Sequence, residues 1–462
     1  MNPISRQVLR NFKRRIQKRL AGPILEPRLD PMFTARNVQY EIAQRTRGLS
    51  SGGIGVIHQI ARTVGLIDAL DRNVRLLKVH LPYHESDHIL NIAYNILAGG
   101  TCLEDLELRR NDEVYMDALG ARRIPDPTTA GDFCRRFQAD AQIVTLMETI
   151  NQVRLKVWKQ QPAEFFRRAV LHADGTIAAT WGECKQGMDM SYNGHWSGRA
   201  GTEGISLANT KEPLYLVNRP GNRPSAEQAD VYLDKAIGLC RKAGFREILM
   251  LGDTDFTQTW KLDEWDQAGD VKFIFGFDAK PNLEALAGEL PESAWERLAR
   301  PPRYEVKTTE RRKPQNVKEQ IVRARGYTNL VLQYEDVAEF QYRPGHCKRD
   351  YRLVALRKLI SVEKGQERLF KQYRYFLYIT NERDLPVQEV VFAATTASCG
   401  FPARRSALPR CINCGKRAHR SEAPSWVWVC DRLLCWVAAE SQHNRKMEQL
   451  LVRLTDRREA TP

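Results

Sequence analysis

The sequence contains no uninterrupted run of about eighteen uncharged apolar residues, and its N-terminus lacks the apolar core of a signal peptide. These absences argue against a membrane span and against secretion, so we expect a cytoplasmic or nucleoid location. Glycine and proline are not unusually frequent, with 29 and 22 residues among 462, while 42% of the residues are hydrophobic. A chain of this length and composition is expected to be globular, with roughly two to four packed domains.

Regularly spaced cysteines are also missing from most of the chain. Five of the ten cysteines precede residue 350 without a repeating spacing, which is typical of reduced thiols in a cytosolic protein. These five are Cys102, Cys134, Cys184, Cys240 and Cys347. The other five all follow residue 398 and so are concentrated in the C-terminal tail.

Acidic residues are fewer than basic residues. Lysine and arginine number 71 against 56 aspartates and glutamates, which gives a formal net charge of +15. Such a surface attracts polyanions and makes nucleic acid the leading partner, although other basic proteins share this composition. The first twenty residues hold seven basic side chains and no acid, so residues 1–50 are interpreted as a basic arm. This arm either contacts phosphates or is a solvated terminus.

The spacing of apolar residues divides the rest of the chain. Residues 51–160 have apolar positions every three or four residues, which predicts a helical region. Within it, residues 128–137 resemble a capped helix with two arginines, which is compatible with DNA binding of the helix-turn-helix kind or with ordinary helical packing. Residues 161–295 alternate short apolar runs with a helical segment that ends at Gly244, a pattern typical of an α/β core. Residues 296–392 are rich in β-forming residues and predict a mainly β insertion.

Two acidic motifs lie where strands of this core should end. In the first, an apolar run precedes Asp174-Gly175-Thr176, and in the second another precedes Gly252-Asp253-Thr254-Asp255. Adjacent strands that end in carboxylates supply the hard oxygen ligands that Mg²⁺ or Mn²⁺ prefers, and such ions assist phosphodiester chemistry. The alternative is that both motifs are structural, because Asp-Gly is a common turn and aspartate a common helix cap.

Longer motifs surround these acids. The chain resembles bacterial insertion-sequence transposases with an RNase H-like DDE domain and a β insertion, over residues 1 to about 392. The matching segments are Pro82 to His88, Met188 to Gly194, Ser206 to Thr210, Asn218 to Ser225, Gly252 to Phe256, Phe273 to Asp278 and Tyr375 to Asn381. The resemblance implies an α/β fold: an RNase H-like mixed sheet core with a β-rich insertion and an N-terminal helical region.

The resemblance also implies an activity. Asp174 matches the first catalytic aspartate of the family and Asp253 the second, so both are implied to bind Mg²⁺ or Mn²⁺. Such enzymes cleave a DNA strand at the end of the element and join the free 3′-hydroxyl to target DNA. The implied partners are double-stranded DNA, as terminal inverted repeats and as target, and a second copy of the chain, because two ends must be brought together. Asp255 is interpreted as a turn residue and His172 as a packed histidine.

The third acid of the family, a glutamate on a helix after the β insertion, has no recognisable match. Gly400 and Pro402 follow the point where that helix should begin, and both disfavour helix. The remaining candidates are Glu382, Glu389, Glu422, Glu440 and Glu448, none in the expected setting. We therefore interpret residues 393–462 as an aberrant tail produced by a frameshift. A glycine-rich stretch at Trp196–Gly204, which should weaken a core strand, also suggests a decaying copy.

The cysteines of the tail allow another interpretation. Cys411, Cys414, Cys430 and Cys435 have a C-x2-C-x15-C-x4-C spacing that approximates a zinc ribbon, although the second pair is wider than usual. Two functional hypotheses follow for the whole chain. It is either an active transposase that uses Asp174, Asp253 and an unidentified glutamate, or a catalytically impaired DNA-binding remnant. A basic metal-dependent nuclease unrelated to transposition is a third alternative.

Overall fold

The computed structural model describes residues 30–35, 51–80, 82–137, 140–178, 189–190, 196–197, 199–218, 223–224, 226–300, 331–363 and 366–397, together with the single residues 10, 14 and 17. Most of the basic arm and the whole of residues 398–462 lie outside these ranges. The zinc interpretation, and Glu422, Glu440 and Glu448, therefore concern residues outside the described part of the chain. The first residues of the tail, 393–397, are described and belong to a helix that runs from Val387 to Ala397, so the expectation that Gly400 and Pro402 disfavour a helix at this point was wrong.

The described residues between 51 and 158 are mainly helical, as the apolar spacing predicts. The helices are α1 (Ile54–Thr63), α2 (Leu66–Asn73), α3 (Glu85–Leu97), α4 (Leu106–Arg110), α5 (Glu113–Ala118), α6 (Pro127–Cys134) and α7 (Asp140–Trp158). The capped helix expected near residue 128 is α6, but it ends at Cys134, so the two arginines expected within it, Arg135 and Arg136, lie beyond its last residue. It begins after Asp126, whose carboxylate accepts the backbone N–H of Thr129 at 2.9 Å, and proline occupies its first position.

The start of α3 is held by the Pro82–His88 motif. Asp87 accepts the N–H groups of Met32 at 2.6 Å and His84 at 2.9 Å, and Glu85 accepts those of Leu76 and Leu77 at 3.0 and 2.9 Å. The ring of His88 stacks on Phe133 of α6 with centroids 4.4 Å apart. The Pro82–His88 motif, one of the segments that resembles the family, thus connects the start of α3 to neighbouring helices and loops in this chain.

Five strands and a helix follow α7. They are β1 (Arg168–Ala178), β2 (Asp189–Met190), β3 (Trp196–Ser197), β4 (Arg199–Leu207), β5 (Glu212–Asn218) and α8 (Ala229–Ala243). The glycine-rich stretch does form a strand, in which Gly204 pairs with Leu216 of antiparallel β5. Helix α8 ends at Gly244, whose φ of +100° lies in the left-handed region, as the sequence predicts.

Helix α7 is fastened to β5 by buried polar side chains. The Asn151 amide donates to the carbonyl of Leu214 at 3.1 Å, and Arg154 donates to that of Pro213 at 3.0 Å. The indole N–H of Trp158 donates to Glu212 at 2.9 Å. Because each of these groups is buried with a partner, the contact avoids the cost of desolvating polar atoms without compensation.

The remaining elements are β6 (Glu247–Gly252), α9 (Leu262–Gln267), β7 (Val271–Phe277), α10 (Pro281–Gly288), β8 (Glu296–Arg297), β9 (Val331–Tyr342), β10 (Tyr351–Glu363), β11 (Gln366–Thr380) and α11 (Val387–Ala397). The large sheet has the strand order β5-β4-β1-β6-β7-β11-β10-β9-β8. Strands β6 and β7 are parallel, and the strands from β11 to β8 pair antiparallel. This mixed sheet, with a β-rich insertion and an N-terminal helical region, confirms the predicted α/β fold class.

The described residues divide into two compact units. One contains the chain up to Leu171 and the segment Gly175–Arg246, and the other contains His172–Asp174 and the chain from Glu247 onward. The core of the second unit is formed by β6 and β7, where five successive residues from Ile248 to Gly252 are buried. Such continuous burial explains why these strands appear in the sequence as unbroken apolar runs.

No helix in the described ranges is long and apolar enough to cross a membrane.

Candidate active site

Asp174 lies inside β1, which continues to Ala178, and not at the end of a strand as the sequence predicted. Leu171 and Ala173 are buried, and Asp174 itself is only 7% exposed. Strand β1 is the neighbour of β6 in the sheet. A carboxylate on β1 is therefore presented beside the strand that carries the second acidic motif.

Asp253 is the first residue after β6 and caps a short 3₁₀ turn, Thr254–Phe256. Its carboxylate accepts the backbone N–H of Asp255 at 3.0 Å. Phe256 is fully buried and fixes the far end of the turn. The turn thus holds the Asp253 backbone, while Asp255 is exposed and contributes its N–H to the turn, in keeping with its interpretation as a turn residue.

Gly276 of β7 supports this turn from below. A Cβ atom at this position would lie 2.8 Å from the backbone nitrogen of Thr254 and 3.1 Å from the carbonyl carbon of Asp253. The hydroxyl of Thr257 also donates to the carbonyl of Gly276. Since both close contacts are to backbone atoms, only glycine allows the Asp253 turn to rest directly on β7.

The two carboxylates influence each other electrostatically. The pKa of Asp253 is raised to about 6, chiefly because protein surrounds the carboxyl and removes water from it, and then because Asp255 and Asp174 are negatively charged neighbours. As a whole residue, however, Asp253 remains exposed to solvent. Two mutually repelling carboxylates are a donor set that suits a hard divalent cation, which would relieve this repulsion.

His172 lies two residues before Asp174 on the same strand. It is buried, and this burial lowers its pKa to about 4, so the imidazole is neutral at neutral pH. These properties agree with the interpretation of His172 as a packed residue.

Two of the five candidates for a third acid are in the described part of the chain. Glu382 is buried, but it follows the last residue of β11, Thr380, which pairs with Ile274 in the middle of β7. Ile274 is level with Leu251 of β6, two residues before Asp253, and Glu382 lies two residues further in the other direction. The two acids are therefore about four residues, or roughly 13 Å, apart along the strand direction. Glu389 lies in the first turn of α11 and is exposed, while the next two residues, Val390 and Val391, are buried.

Neither glutamate therefore joins the aspartates. Among the described residues, no group of three or more histidine, cysteine, aspartate or glutamate side chains is arranged to hold a metal ion. The site as described consists of two carboxylates and the turn that supports one of them.

The sequence pointed to Asp174 and Asp253 but assigned no role to Gly276. A signal for it was present, since a lone glycine inside an apolar strand often marks a place where another backbone approaches closely. The approaching backbone could not be identified without the parallel pairing of β6 and β7, which places Gly252 opposite Phe275.

The chain matches a known protein family. The profile described as "Transposase DDE domain group 1" matches residues 35–354, and no curated protein matches the chain. Among solved structures, the chain is similar to a piggyBac transposase determined by cryo-EM in a synaptic complex with hairpin DNA. That similarity has 10% identity and a TM-score of 0.30, and covers 91% of this chain and 76% of the other. The family profile spans more than half of the sequence, and the chain therefore belongs to the transposase DDE domain group 1 family.

Proposed function

We propose that this chain is an insertion-sequence transposase that cleaves DNA at the ends of its element and transfers the freed strand to target DNA. The observation that carries the proposal is the placement of Asp174 and Asp253 on neighbouring strands β1 and β6 of an RNase H-like sheet, in a member of a DDE transposase family. Their mutual effect on the pKa of Asp253 supports the view that they act on one site.

In this proposal Asp174 and Asp253 hold Mg²⁺ or Mn²⁺. When bound, the cation would activate the attacking oxygen and stabilise the leaving oxygen of the phosphodiester. Other residues of the chain orient and support these two carboxylates. The Asp255 N–H and the buried Phe256 fix the orientation of Asp253, and Gly276 keeps the turn against the sheet. His172, buried two residues before Asp174 on the same strand, is neutral and adds no positive charge.

The DNA partners in the proposal are the terminal inverted repeats and the target duplex. The excess of 71 basic over 56 acidic residues supports binding of phosphates, with the basic arm (1–50) and the helical region (51–160) as the contacting parts. The region 161–295 and the return from the insertion (296–392) would form the catalytic core. A homodimer would bring the two element ends together.

The test is a strand-cleavage assay with the full-length protein, using DNA that includes the ends of the element and added Mg²⁺ or Mn²⁺. We expect specific cleavage at the terminal repeats by the wild type and none by the Asp174→Asn or Asp253→Asn variant. Cleavage that survives either substitution would contradict the site assignment. Metal-dependent cleavage without any preference for the terminal repeats would instead favour a nuclease unrelated to transposition.

A second candidate function is favoured by one observation. Glu382 lies about four residues from Asp253 along the strand direction and Glu389 is exposed on α11, and among the described residues no third acid groups with the two aspartates. The chain would then be a DNA-binding remnant that recognises element ends without cutting them. Sequence-specific binding without cleavage, in both Mg²⁺ and Mn²⁺, would identify this second function.

A further inference from the structure

The strands of the β insertion extend past the edge at which Asp253 lies. The last residue of β7, Phe277, pairs with Leu377 of β11, so the part of β11 before Leu377 has no partner on β7. The same register places Arg357 and Lys358 of β10, and Tyr334 to Asp336 of β9, in this extension. Since β11 is the second strand from β6, the extension begins roughly 10 Å to one side of the Asp253 strand.

One face of this extension is also the face on which the Asp253 turn lies. A Cβ at Gly276 would point at the backbone of Asp253 and Thr254, and Gly276 pairs directly with Tyr378. Directly paired residues share a face, and so do alternate residues along a strand. Phe376 and Arg374 of β11 therefore lie on the face of the Asp253 turn, and Lys358 joins them because it pairs with Arg374. Phe376 is only two residues, roughly 7 Å, beyond Tyr378.

The opposite face of the extension is occupied by its own contacts. The guanidinium of Arg357 lies 4.2 Å from the ring centre of Trp295 and 4.6 Å from that of Tyr373, and it pairs with Asp336 at 3.1 Å and with Glu292. Arg297 covers Tyr334 at 3.6 Å. Three aromatic rings on that face, those of Trp295, Tyr373 and Tyr334, thus already have a cation stacked on them.

The face shared with Asp253 is different. Phe376 is 38% exposed, which makes it one of the few large apolar side chains at the surface of the described residues. The ammonium of Lys358 covers one side of its ring at 4.7 Å, and Arg374 is exposed beside it. Three of the charged groups here are positive, Arg300, Lys358 and Arg374. One, Glu335, is negative, and it pairs with both Arg300 and Lys358. The surface therefore combines an open aromatic ring with an excess of positive charge.

We propose that Phe376, Arg374 and Lys358 form a binding surface for an unpaired DNA strand next to Asp253. An unstacked base would lie on the exposed side of the Phe376 ring, and the two cations would contact the adjoining phosphates. Stacking on an aromatic ring requires a base that has left the duplex, so the occupant is an unpaired stretch and not the continuous double helix. This inference rests on the proposed function, because it assigns a DNA contact to the same site.

The test compares two fluorescein-labelled DNA probes by fluorescence anisotropy, with the full-length protein and no divalent metal. One probe is a blunt duplex, and the other is the same duplex with an unpaired tail of about eight nucleotides, a length within the usual site size for single-stranded DNA. We expect Phe376→Leu to weaken binding of the tailed probe by about 5- to 100-fold and to leave the blunt probe unchanged. Phe376→Tyr, which keeps the ring, should bind the tailed probe like the wild type.

The salt dependence of DNA binding tests the proposed phosphate contact of Arg374. Removing one phosphate contact to a single strand lowers the slope of log K against log salt by roughly 0.7, so Arg374→Gln should show this loss with the tailed probe. The control is Arg343→Gln, an exposed arginine at the other end of β9, which should retain the slope of the wild type. Val231→Ala, at an exposed apolar position on α8, serves as the matched control for Phe376→Leu.

The outcomes separate this surface from the proposed function. If the wild type binds both probes and cleaves element ends while Phe376→Leu binds like the wild type, the binding surface is wrong and the transposase function stands. An equal loss on both probes would also contradict it, because the unpaired strand would not be the ligand. If the wild type binds neither probe, both the surface and the proposed function fail.

Discussion

At the scale of single residues, the support of Asp253 depends on the absence of a side chain at position 276. The Gly276→Ala variant places a methyl group against the backbone of Thr254 and Asp253, so the turn has to move. We expect the affinity for Mn²⁺, measured by electron paramagnetic resonance, to fall by about 10- to 100-fold, the usual effect of disturbing the support of a metal ligand. The melting temperature should change much less than the metal affinity.

A matched control for this substitution is available on α8. A Cβ atom at Gly238 would meet nothing within 4 Å, so Gly238→Ala should leave Mn²⁺ binding unchanged and stabilise the helix slightly. Wild-type Mn²⁺ affinity in Gly276→Ala would show that the Asp253 turn does not depend on this contact.

His58 is a second residue whose chemistry depends on its surroundings. It is fully buried, and its two ring nitrogens lie 3.0 Å from the Tyr94 hydroxyl and 3.1 Å from the Phe33 carbonyl. Because the Phe33 carbonyl can only accept a hydrogen bond, Nε2 carries the proton. In the neutral ring Nδ1 then accepts from the Tyr94 hydroxyl, which defines the tautomer. Burial lowers the pKa of His58 to about 4, with a smaller contribution in the same direction from Arg62 and an opposing one from the Phe33 carbonyl.

The sign of the pH effect follows from this lowered pKa. Between pH 6.5 and about 4 the unfolded chain binds a proton that folded His58 does not, so stability is lost as the pH falls through this window. At pH 5 the loss attributable to His58 is about 2 kcal/mol. We expect the melting temperature to fall less between pH 7 and pH 5 in His58→Gln than in the wild type. Equal falls in both proteins would contradict this assignment.

Residues of this kind show where sequence reasoning ends. Asp174 and Asp253 were found because each follows or interrupts an apolar run, which is a local pattern. Gly276 and His58 act through contacts with residues 22 and 36 positions away, Thr254 and Tyr94, and no local pattern specifies such partners. The Pro82–His88 motif was noticed, but its role in joining Met32, α2 and α6 to α3 appears only when these elements are packed together.

At the scale of elements, β10 depends on Arg357. Its side chain is 7% exposed and pairs with Asp336, which is buried to the same degree, as well as with Glu292. Removing one partner of a buried ion pair leaves an uncompensated charge. We expect Arg357→Met to lower the free energy of unfolding by about 3 kcal/mol, at the low end of the usual range because Arg297 still pairs with Asp336 at 2.8 Å.

The measurement is chemical denaturation followed by tryptophan fluorescence, since Trp295 stacks on Arg357. Arg343→Met is the control, because Arg343 and Asp350 form an ion pair that is more than half exposed on both sides and should contribute little. If the two variants lose the same stability, the burial of Arg357 is not what makes its ion pairs important.

The elements themselves were largely predictable. The apolar runs of the core became β1, β5, β6 and β7, because strands buried on both faces require continuous apolar residues. The insertion was harder to predict in detail. The segment from Val331 to Tyr342 forms the single strand β9 although it contains two charged residues, Glu335 and Asp336. These charges are buried with partners on β10 and in residues 297–300, which local sequence does not reveal.

At the scale of the whole molecule, DNA affinity and catalysis should depend on different properties of the chain. Affinity for DNA is dominated by phosphate neutralisation, and this chain has a net charge of +15 distributed over many lysines and arginines. Catalysis in the proposed function depends on two carboxylates. A substitution that abolishes catalysis should therefore leave the affinity for DNA almost unchanged.

The Asp174→Asn variant tests this separation. We expect its affinity for element-end DNA, measured by fluorescence anisotropy at two salt concentrations, to stay within about twofold of the wild type, with the same slope against salt, because no phosphate contact is removed. Any change should be towards tighter binding, since one negative charge is lost. Weaker binding by tenfold or more would mean that Asp174 contributes to holding the DNA, either through a bound cation or by keeping β1 in place. Melting temperatures would separate these two causes, because only a displaced β1 lowers the stability of the fold.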